Sequence, residues 1–206
     1  MTEKPDEYLT IDTPVESQLK VKGSRFLGLA TPIQSSEQAL TKVTEVSQKF
    51  YDATHHCFAF RVGLGAETMQ RYSDAGEPMG TAGLPIYQVI EGRNLTNVLV
   101  LVTRYFGGTK LGKGGLVRAY QATAIQTLDR ASVVQKIIHT ELVISFPYQK
   151  TGDVMHVLRT FGAKIKPPDY SSQVKLFISV RRGLENELKN KLIAVTQNTI
   201  LFDTNC

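Results

Sequence analysis

The residue types that carry acid–base chemistry are concentrated in one region near the middle of this sequence. Two adjacent histidines precede two carboxylates in a glycine-rich segment, and such side chains act as general bases and acids. The two carboxylates could also hold a divalent ion together with water. The structural alternatives are a buried histidine with a hydrogen-bond partner, a carboxylate that caps a turn, and a carboxylate paired with Arg71 or Arg104. The catalytic candidates are His55, His56, Asp74 and Glu77.

These candidates do not form a known metal or hydrolase motif. Neighbouring side chains on a strand point to opposite faces, so at most two of His55, His56 and Cys57 could reach one ion. No Cys-x-x-Cys or His-Glu-x-x-His pattern supports a zinc site, and no Gly-x-Ser-x-Gly pattern supports a hydrolase built on Ser73. We expect neither a metal nor an organic cofactor.

A basic, glycine-rich segment before a predicted helix is the second chemical feature. Gly107, Gly112 and Lys113 fit Gly-x-x-x-x-Gly-Lys, but Gly114 stands where a P-loop needs Ser or Thr for magnesium. Glycines still let backbone N–H groups face an anion, and the positive end of the following helix would add to this. The alternative is a tightly packed loop whose glycines serve positive φ angles.

The charge distribution favours an anionic ligand for this segment. Among 206 residues, 24 Lys and Arg against 19 Asp and Glu give a net charge of +5. No acid occurs between Glu91 and Asp129, which indicates an anion-facing surface or, alternatively, a solvated basic face. The predicted anion-binding or nucleic-acid-binding residues are Ser73, Thr81, Arg104, Tyr105, Gly107, Gly108, Lys110, Gly112, Lys113, Gly114, Gly115, Arg118 and Tyr120.

The aromatic residues around this segment have two interpretations. Tyr105, Phe106 and Tyr120 could stack on nucleic-acid bases. Aromatic side chains beside a central strand often belong to the core, so at least one of the three is expected to be buried.

Apolar periodicity predicts mixed strands and helices in the first part of the chain. The run Val98–Thr103 is continuously apolar and predicts a central strand buried on both faces. Ser35 and Gln38 predict a helix cap. The predicted elements are a hairpin over 17–30, a helix over 35–50, strands over 56–62 and 68–72, a helix over 84–90, a strand over 98–103 and a helix over 116–130.

The remainder of the chain has a different pattern and no glycine-rich loop. Its predicted order is β-α-β-β-α-β, which is the ferredoxin-like split unit. The elements are strands over 141–146, 164–169, 174–181 and 199–202, with helices over 150–161 and 184–197.

Four segments of the sequence together closely resemble the YigZ/IMPACT family. The two longest are highly specific: Ser-Asp-Ala-Gly-Glu-Pro-Met-Gly-Thr-Ala-Gly at 73–83, and the stretch 104–120 with Phe-Gly-Gly-Thr-Lys-Leu-Gly-Lys-Gly-Gly. Asp-Ala-Thr-His-His-Cys at 52–57 and Lys-Gly-Ser-Arg-Phe at 22–26 complete a resemblance that covers the whole chain. One departure is Ala75, where many relatives carry an acid, and this disfavours a site of paired carboxylates there.

The resemblance implies an α+β protein with two domains. Residues 1–136 would form an IMPACT-type domain with the βαβ fold shared by a small-subunit ribosomal protein, GHMP kinases and domain IV of elongation factor G. Residues 137–206 would form a ferredoxin-like domain resembling domain V of that factor. Eukaryotic relatives regulate translation by opposing activation of the kinase that senses uncharged tRNA.

We therefore expect a non-enzymatic, translation-associated protein that binds RNA or the ribosome through the basic glycine-rich loop. A translation-related protein is a further candidate partner, and no membrane partner is expected. The alternative is an enzyme acting on a phosphorylated or anionic small molecule in the same cleft. Apolar runs too short for a bilayer, and an acidic beginning that leads into no apolar segment, predict a cytoplasmic location.

Overall fold

Antiparallel strands and the helices between them form the first part of the structure, a computed structural model that describes residues 6–166, 169–170 and 174–203. The described chain divides into two compact units, with residues 8–136 in the first. The elements of this first unit are β1 (Glu7–Ile11), β2 (Val15–Val21), β3 (Ser24–Pro32), α1 (Ser36–Lys49), β4 (His55–Val62), β5 (Met69–Ser73), α2 (Gly83–Gly92), β6 (Val98–Tyr105), α3 (Gly112–Leu128) and β7 (Val133–Ile137).

The main sheet of the first unit has the strand order β2-β3-β6-β4-β5. Every neighbouring pair in it is antiparallel. Helix α1 covers one face, while α2 and α3 cover the other. Strands β1 and β7 form a separate two-stranded sheet.

Strand β6 is buried on both faces, as its continuous apolar sequence predicts. Val100 and Val102 pack toward α2 and α3, whereas Leu99 and Leu101 pack toward α1. The same alternation continues to the end of the strand, so Arg104 lies on the α2/α3 face and Tyr105 on the α1 face.

The N-terminus of α1 also follows the sequence prediction. The Ser35 side chain accepts a hydrogen bond from the Gln38 backbone N–H at 3.1 Å. This bond satisfies one of the first helical N–H groups, which have no partner inside the helix.

The second unit contains the residues from 137 onward together with Asp6 and Glu7. Its sheet has the order β10-β11-β8-β12, β9 also pairs with β11, and α4 and α5 pack their apolar residues against it. The first strand thus lies between the third and the last, which is the ferredoxin-like order. The elements are β8 (His139–Phe146), α4 (Thr151–Thr160), β9 (Lys164–Ile165), β10 (Asp169–Tyr170), β11 (Val174–Arg181), α5 (Glu185–Val195) and β12 (Leu201–Asp203).

Within the second unit, Asp6 and Glu7 form ion pairs with Arg181. The Arg181 Nε atom lies 2.5 Å from Asp6 Oδ2, and Arg181 Nη2 lies 2.7 Å from Glu7 Oε2. The hydrogen bond from Arg181 lowers the pKa of Asp6 below the ordinary aspartate value. The division of the described chain falls between Lys136 and Ile137, and Asp6 and Glu7 lie with the second unit.

The main differences between the predicted elements and the structure concern α3, the strands β1 and β7, and the segment 164–170. Helix α3 begins at Gly112 instead of Leu116, because the low helix propensity of Gly112, Gly114 and Gly115 hid its first turn. Strands β1 and β7, which pair with each other, were not predicted. The single strand predicted over 164–169 is instead β9 and β10, and residues 167–168 lie outside the described residues.

The mixed strand and helix content of the two units confirms the predicted α+β class. No helix in the described ranges is both long and apolar enough to cross a membrane.

Candidate anion-binding site

Side chains from three strands meet at one end of the main sheet, on the face that α2 and α3 cover. The strand register places His55 and Phe26 on either side of Arg104. Glu77, from the loop between β5 and α2, reaches the same point. The segments 52–57, 73–83 and 104–120 therefore share this part of the first unit.

Arg104 and Glu77 form a buried ion pair at this point. Arg104 Nη1 lies 2.5 Å from Glu77 Oε1, and their side chains are only 6% and 3% exposed. Arg104 Nη2 donates to Ser24 Oγ at 3.3 Å. The structural alternative for Glu77, pairing with Arg104, is thus the arrangement observed.

Tyr120 lies in the core and is the second hydrogen-bond partner of Glu77 Oε1. Its hydroxyl donates to Glu77 Oε1 at 2.8 Å, and its side chain is fully buried. Burial raises the pKa of Tyr120, so the hydroxyl keeps its proton. Tyr120 cannot stack on a base, which removes it from the predicted binding residues.

Asp74 caps the N-terminus of α2, although it lies eight residues before the N-cap residue Ala82. Its carboxylate accepts hydrogen bonds from the backbone N–H groups of Gly80, Ala82 and Gly83 at 2.8–2.9 Å. Ala82, at the N-cap position, has no side chain that can do this. The turn-capping alternative for Asp74 is therefore the arrangement observed.

The two histidines lie on opposite faces of β4. His55 Nδ1 donates to the Ala75 carbonyl at 2.9 Å, and His55 Nε2 lies 3.9 Å from Glu77 Oε2. His56 Nδ1 is instead 3.1 Å from Thr103 Oγ1. Burial lowers the pKa of His56, so this histidine is neutral at pH 7. Only His55 belongs to the cluster around Glu77.

Cys57 lies beneath the same loop as an inert thiol. Its Sγ donates to the Asp74 carbonyl at 2.9 Å. Burial raises the pKa of Cys57 to about 12, so the nucleophilic thiolate is absent at neutral pH. Within the described residues, no three His, Cys, Asp or Glu side chains are grouped to hold a metal.

Gly107 is needed for close packing. A Cβ at Gly107 would lie 1.8 Å from the carbonyl carbon of Gly23, in the turn between β2 and β3. The Gly107 N–H also donates to Ser24 Oγ at 3.2 Å. This contact holds the loop after β6 against the β2–β3 turn.

The first turn of α3 has an open, positively charged N-terminus. Leu111, at the N-cap, makes no side-chain capping bond, and the first turn contains no acid. Lys110 and Lys113 are exposed, and Arg118 Nη1 lies 3.6 Å from the Cβ position of Gly114. Backbone N–H groups and cations thus occur together at one helix end.

The five cations of the acid-free window divide into two groups. Arg93 pairs with Asp129 at 2.5 Å, and Arg104 pairs with Glu77. Lys110, Lys113 and Arg118 have no carboxylate partner within the described part of the chain. The unneutralised charge is therefore concentrated around the start of α3.

A cavity of about 300 Å³ lies beside this helix end. Phe106, which was considered for stacking but was not among the predicted binding residues, is 48% exposed at its wall. The sequence feature that indicates Phe106 as a site residue is its position directly after Arg104 and Tyr105. The cavity is lined by Glu77, Pro78, Arg104, Phe106, Lys110, Leu111, Gly112, Lys113 and Leu116.

Several predicted binding residues lie outside this cavity. Ser73 Oγ accepts from the Ala75 N–H, and the buried Thr81 hydroxyl donates to the Pro78 carbonyl. Tyr105, on the α1 face, donates to Asp52 at 2.8 Å, and this bond raises the pKa of Tyr105. The residues that do not line the cavity are Ser73, Thr81, Tyr105, Gly107, Gly108, Gly114, Gly115, Arg118 and Tyr120.

A larger cavity of about 550 Å³ lies on the α1 face of the sheet. Its floor is formed by Leu27, Leu29 and Leu101, and none of the predicted site residues lines it. The charged groups and glycines singled out in the sequence thus belong to the smaller cavity and its surroundings.

Comparison with known proteins identifies the family. The profile of the Impact N-terminal domain matches residues 22–128, and that of a domain of unknown function, DUF1949, matches residues 144–199. The IMPACT family member YvyE of Bacillus subtilis is 32% identical over 189 residues, covering 92% of this chain and 87% of that protein. The IMPACT family member YigZ of Escherichia coli is 30% identical over 196 residues, covering 95% and 96%. This chain belongs to the IMPACT family.

A solved structure is similar to this chain over most of its length. A crystal structure described as that of a hypothetical protein matches with a TM-score of 0.70 and 29% identity. The match covers 96% of this chain and 97% of the other. The two-domain α+β fold is therefore common to both proteins.

Proposed function

We propose that this protein is a non-enzymatic, cytoplasmic RNA-binding protein of the translation machinery. The basic start of α3 would contact phosphate groups of RNA, including those of the ribosome. Membership of the IMPACT family supports the translational setting that the sequence resemblance implies.

The observation that carries the proposal is the unneutralised charge at the start of α3. Lys110, Lys113 and Arg118 lack carboxylate partners among the described residues, and the helix end beside them has no capping side chain. Exposed cations and backbone N–H groups at one place are the ordinary means of phosphate binding. The exposed ring of Phe106 adds a surface on which a base can stack.

The hydrogen bonds and ion pairs made by the acid–base candidates favour a binding function over a catalytic one. Asp74 accepts three backbone hydrogen bonds, and Glu77 is occupied by Arg104 and Tyr120. His56 lies on the opposite face of β4. A general acid or base must reach the reacting group, and these side chains are directed to structural partners instead.

The proposal is tested by RNA binding across a salt series. Each phosphate contact releases roughly 0.7 to 0.9 counterions, so affinity should fall linearly on a log–log plot. Lys110→Glu combined with Lys113→Glu should weaken binding strongly and reduce the slope by about 1.4 to 1.8. The measurement is filter binding of single-stranded RNA and co-sedimentation with ribosomes.

The matched control is Lys164→Glu combined with Lys191→Glu. Both lysines are exposed in the second unit, and neither is ion-paired in the described structure. The control carries the same change of net charge and should retain most of the binding. Equal losses in the two double variants, or no binding by the unaltered protein at low salt, would contradict the proposal.

A further inference from the structure

The cavity beside α3 combines a polar end and an aromatic wall. The first N–H groups of a helix have no intrahelical acceptor, and Gly112 and Lys113, in the first turn of α3, line this cavity. Phe106 forms another part of the lining and is about half exposed. An anionic group and a flat ring are therefore both accommodated.

Arg104 provides an independent indication of a ligand. It lines the cavity, is only 5% exposed, and uses Nη1 and Nη2 for Glu77 and Ser24. Its Nε atom is buried without a hydrogen-bond partner in the described chain. Buried donors are satisfied in nearly all native structures, so an acceptor is expected to complete this guanidinium. Among the described residues, Arg61 Nε is also buried without a partner, but it lies near the opposite end of β4.

The charge of the cavity fits a dianion better than a monoanion. Glu77 neutralises Arg104, which leaves the charges of Lys110 and Lys113 unopposed among the described lining residues. A terminal phosphate monoester carries about −1.5 to −2 at pH 7, whereas an internal phosphodiester carries a single charge. The positive end of α3 adds to the preference for the doubly charged group.

The size of the cavity limits the ligand to about one nucleotide. Its volume of about 300 Å³ is at the lower end of the range for small-molecule sites. One phosphate at the helix end and one base against Phe106 would use both parts of the lining. A longer segment of strand would continue outside it.

We propose that this cavity binds a single nucleoside phosphomonoester, as the phosphorylated end of an RNA strand or as a free mononucleotide. The strand-end form rests on the proposed function, because it makes the RNA-binding surface selective for a terminal phosphate. The free-nucleotide form does not depend on RNA binding. In both forms the recognised chemistry is a dianionic phosphate next to a base.

The first experiment compares ligands that differ only in the terminal phosphate. Fluorescence anisotropy would measure one RNA oligonucleotide with a 5′-phosphate, with a 3′-phosphate and with hydroxyl groups at both ends. We expect one phosphorylated form to bind at least tenfold more tightly. In a thermal-shift assay, AMP should raise the unfolding temperature at concentrations where adenosine does not.

The outcomes separate this inference from the proposed function. Selective binding by AMP without any strand-end preference assigns the site to free nucleotides. If neither AMP nor a phosphorylated strand binds better than its unphosphorylated counterpart, the inference is wrong. In that case salt-dependent binding that is lost in the Lys110→Glu, Lys113→Glu variant would still support the proposed function.

A variant that preserves the fold tests the position of the site. Gly114→Asp adds an acid to the first turn of α3, where an acid stabilises the helix but repels an anionic ligand. The nearest atom to its new Cβ is Arg118 Nη1 at 3.6 Å, an ordinary contact. We expect at least a tenfold loss of phosphate selectivity with no loss of thermal stability.

The control places the same substitution in the first turn of another helix. Gly152→Asp in α4 has no atom within 4 Å of the new Cβ. It should leave the selectivity unchanged. A Gly114→Asp protein that folds and keeps full phosphate selectivity would overturn the assignment of the site to α3.

Discussion

At the scale of single residues, the carboxylates of the 73–83 segment have structural roles. Asp74 supplies the cap that α2 lacks in its own sequence, and Glu77 neutralises the buried Arg104. Removing one partner of a buried ion pair leaves an uncompensated charge. A loss of function after substitution of Asp74 or Glu77 would therefore be explained by reduced stability of the fold as well as by a lost catalytic or binding group.

Substitution of Asp74 should reduce stability through the lost cap. Asp74→Ala removes the acceptor of three backbone N–H groups, and we expect the free energy of unfolding to fall by about 1–2 kcal/mol. Urea denaturation followed by circular dichroism measures this change. Asp153→Ala in the first turn of α4 is the control and should have a smaller effect. An unaltered unfolding midpoint for Asp74→Ala would contradict the capping role.

At the scale of elements, α3 packs against the sheet at Gly28 of β3, where there is no room for a side chain. A Cβ at this position would lie 2.1 Å from Thr127 Oγ1 and 2.9 Å from Ser17 Oγ. The two hydroxyl oxygens are 2.7 Å apart and fill the space above the glycine. This close contact fixes the distance between the sheet and the helix whose N-terminus forms the candidate site.

Gly28→Ala should separate α3 from the sheet. The added methyl group cannot fit without movement of Thr127 or the helix, so we expect a loss of about 1–3 kcal/mol. Gly152→Ala, at an open helical position, should be neutral or stabilising. Chemical denaturation of both variants measures the difference. A Gly28→Ala protein as stable as the parent would show that the helix position is adjustable.

At the scale of the whole molecule, the chain forms two units with separate cores. The first core lies on both faces of the β2-β3-β6-β4-β5 sheet, and the second lies between α4, α5 and their own sheet. Asp6 and Glu7 belong to the second unit although they precede the first in sequence. The second unit is therefore assembled from two distant parts of the chain.

The two units should unfold independently when separated. Fragments 8–136 and 137–206 should each show a cooperative thermal transition, because each contains a complete set of elements. Fragment 137–206 lacks the carboxylates that pair with Arg181, so it should melt below the same unit in the full chain at pH 7. A fragment without a cooperative transition would contradict the division.

The contribution of Asp6 to this difference should depend on pH. The pKa of Asp6 is lowered in the folded protein, so its contribution is present above the ordinary value of 3.8. It is lost as the pH falls through the lower folded-state value. The difference between the fragment and the full chain should shrink accordingly below that pH, and Asp6→Asn in the full chain should imitate the fragment at pH 7.

Local sequence was sufficient for most of the elements. The apolar run of β6, the capped start of α1 and the β-α-β-β-α-β order of the second unit depend on near neighbours and on periodicity. The motifs in the 73–83 and 104–120 segments were also sufficient to indicate the family. The start of α3 was misplaced because packing of Leu116 and its neighbours outweighs the poor helix propensity of Gly112 and Gly114.

Only the tertiary structure decided which chemical groups meet. From its sequence position Arg104 could have been an unpaired cation, but the fold brings Glu77 against it from another part of the chain. His55 and His56 are equivalent in sequence, yet the pleat of β4 sends them to opposite faces of the sheet. Such partners are set by strand register and helix packing over long sequence distances, whereas the sequence determined only the elements and their order.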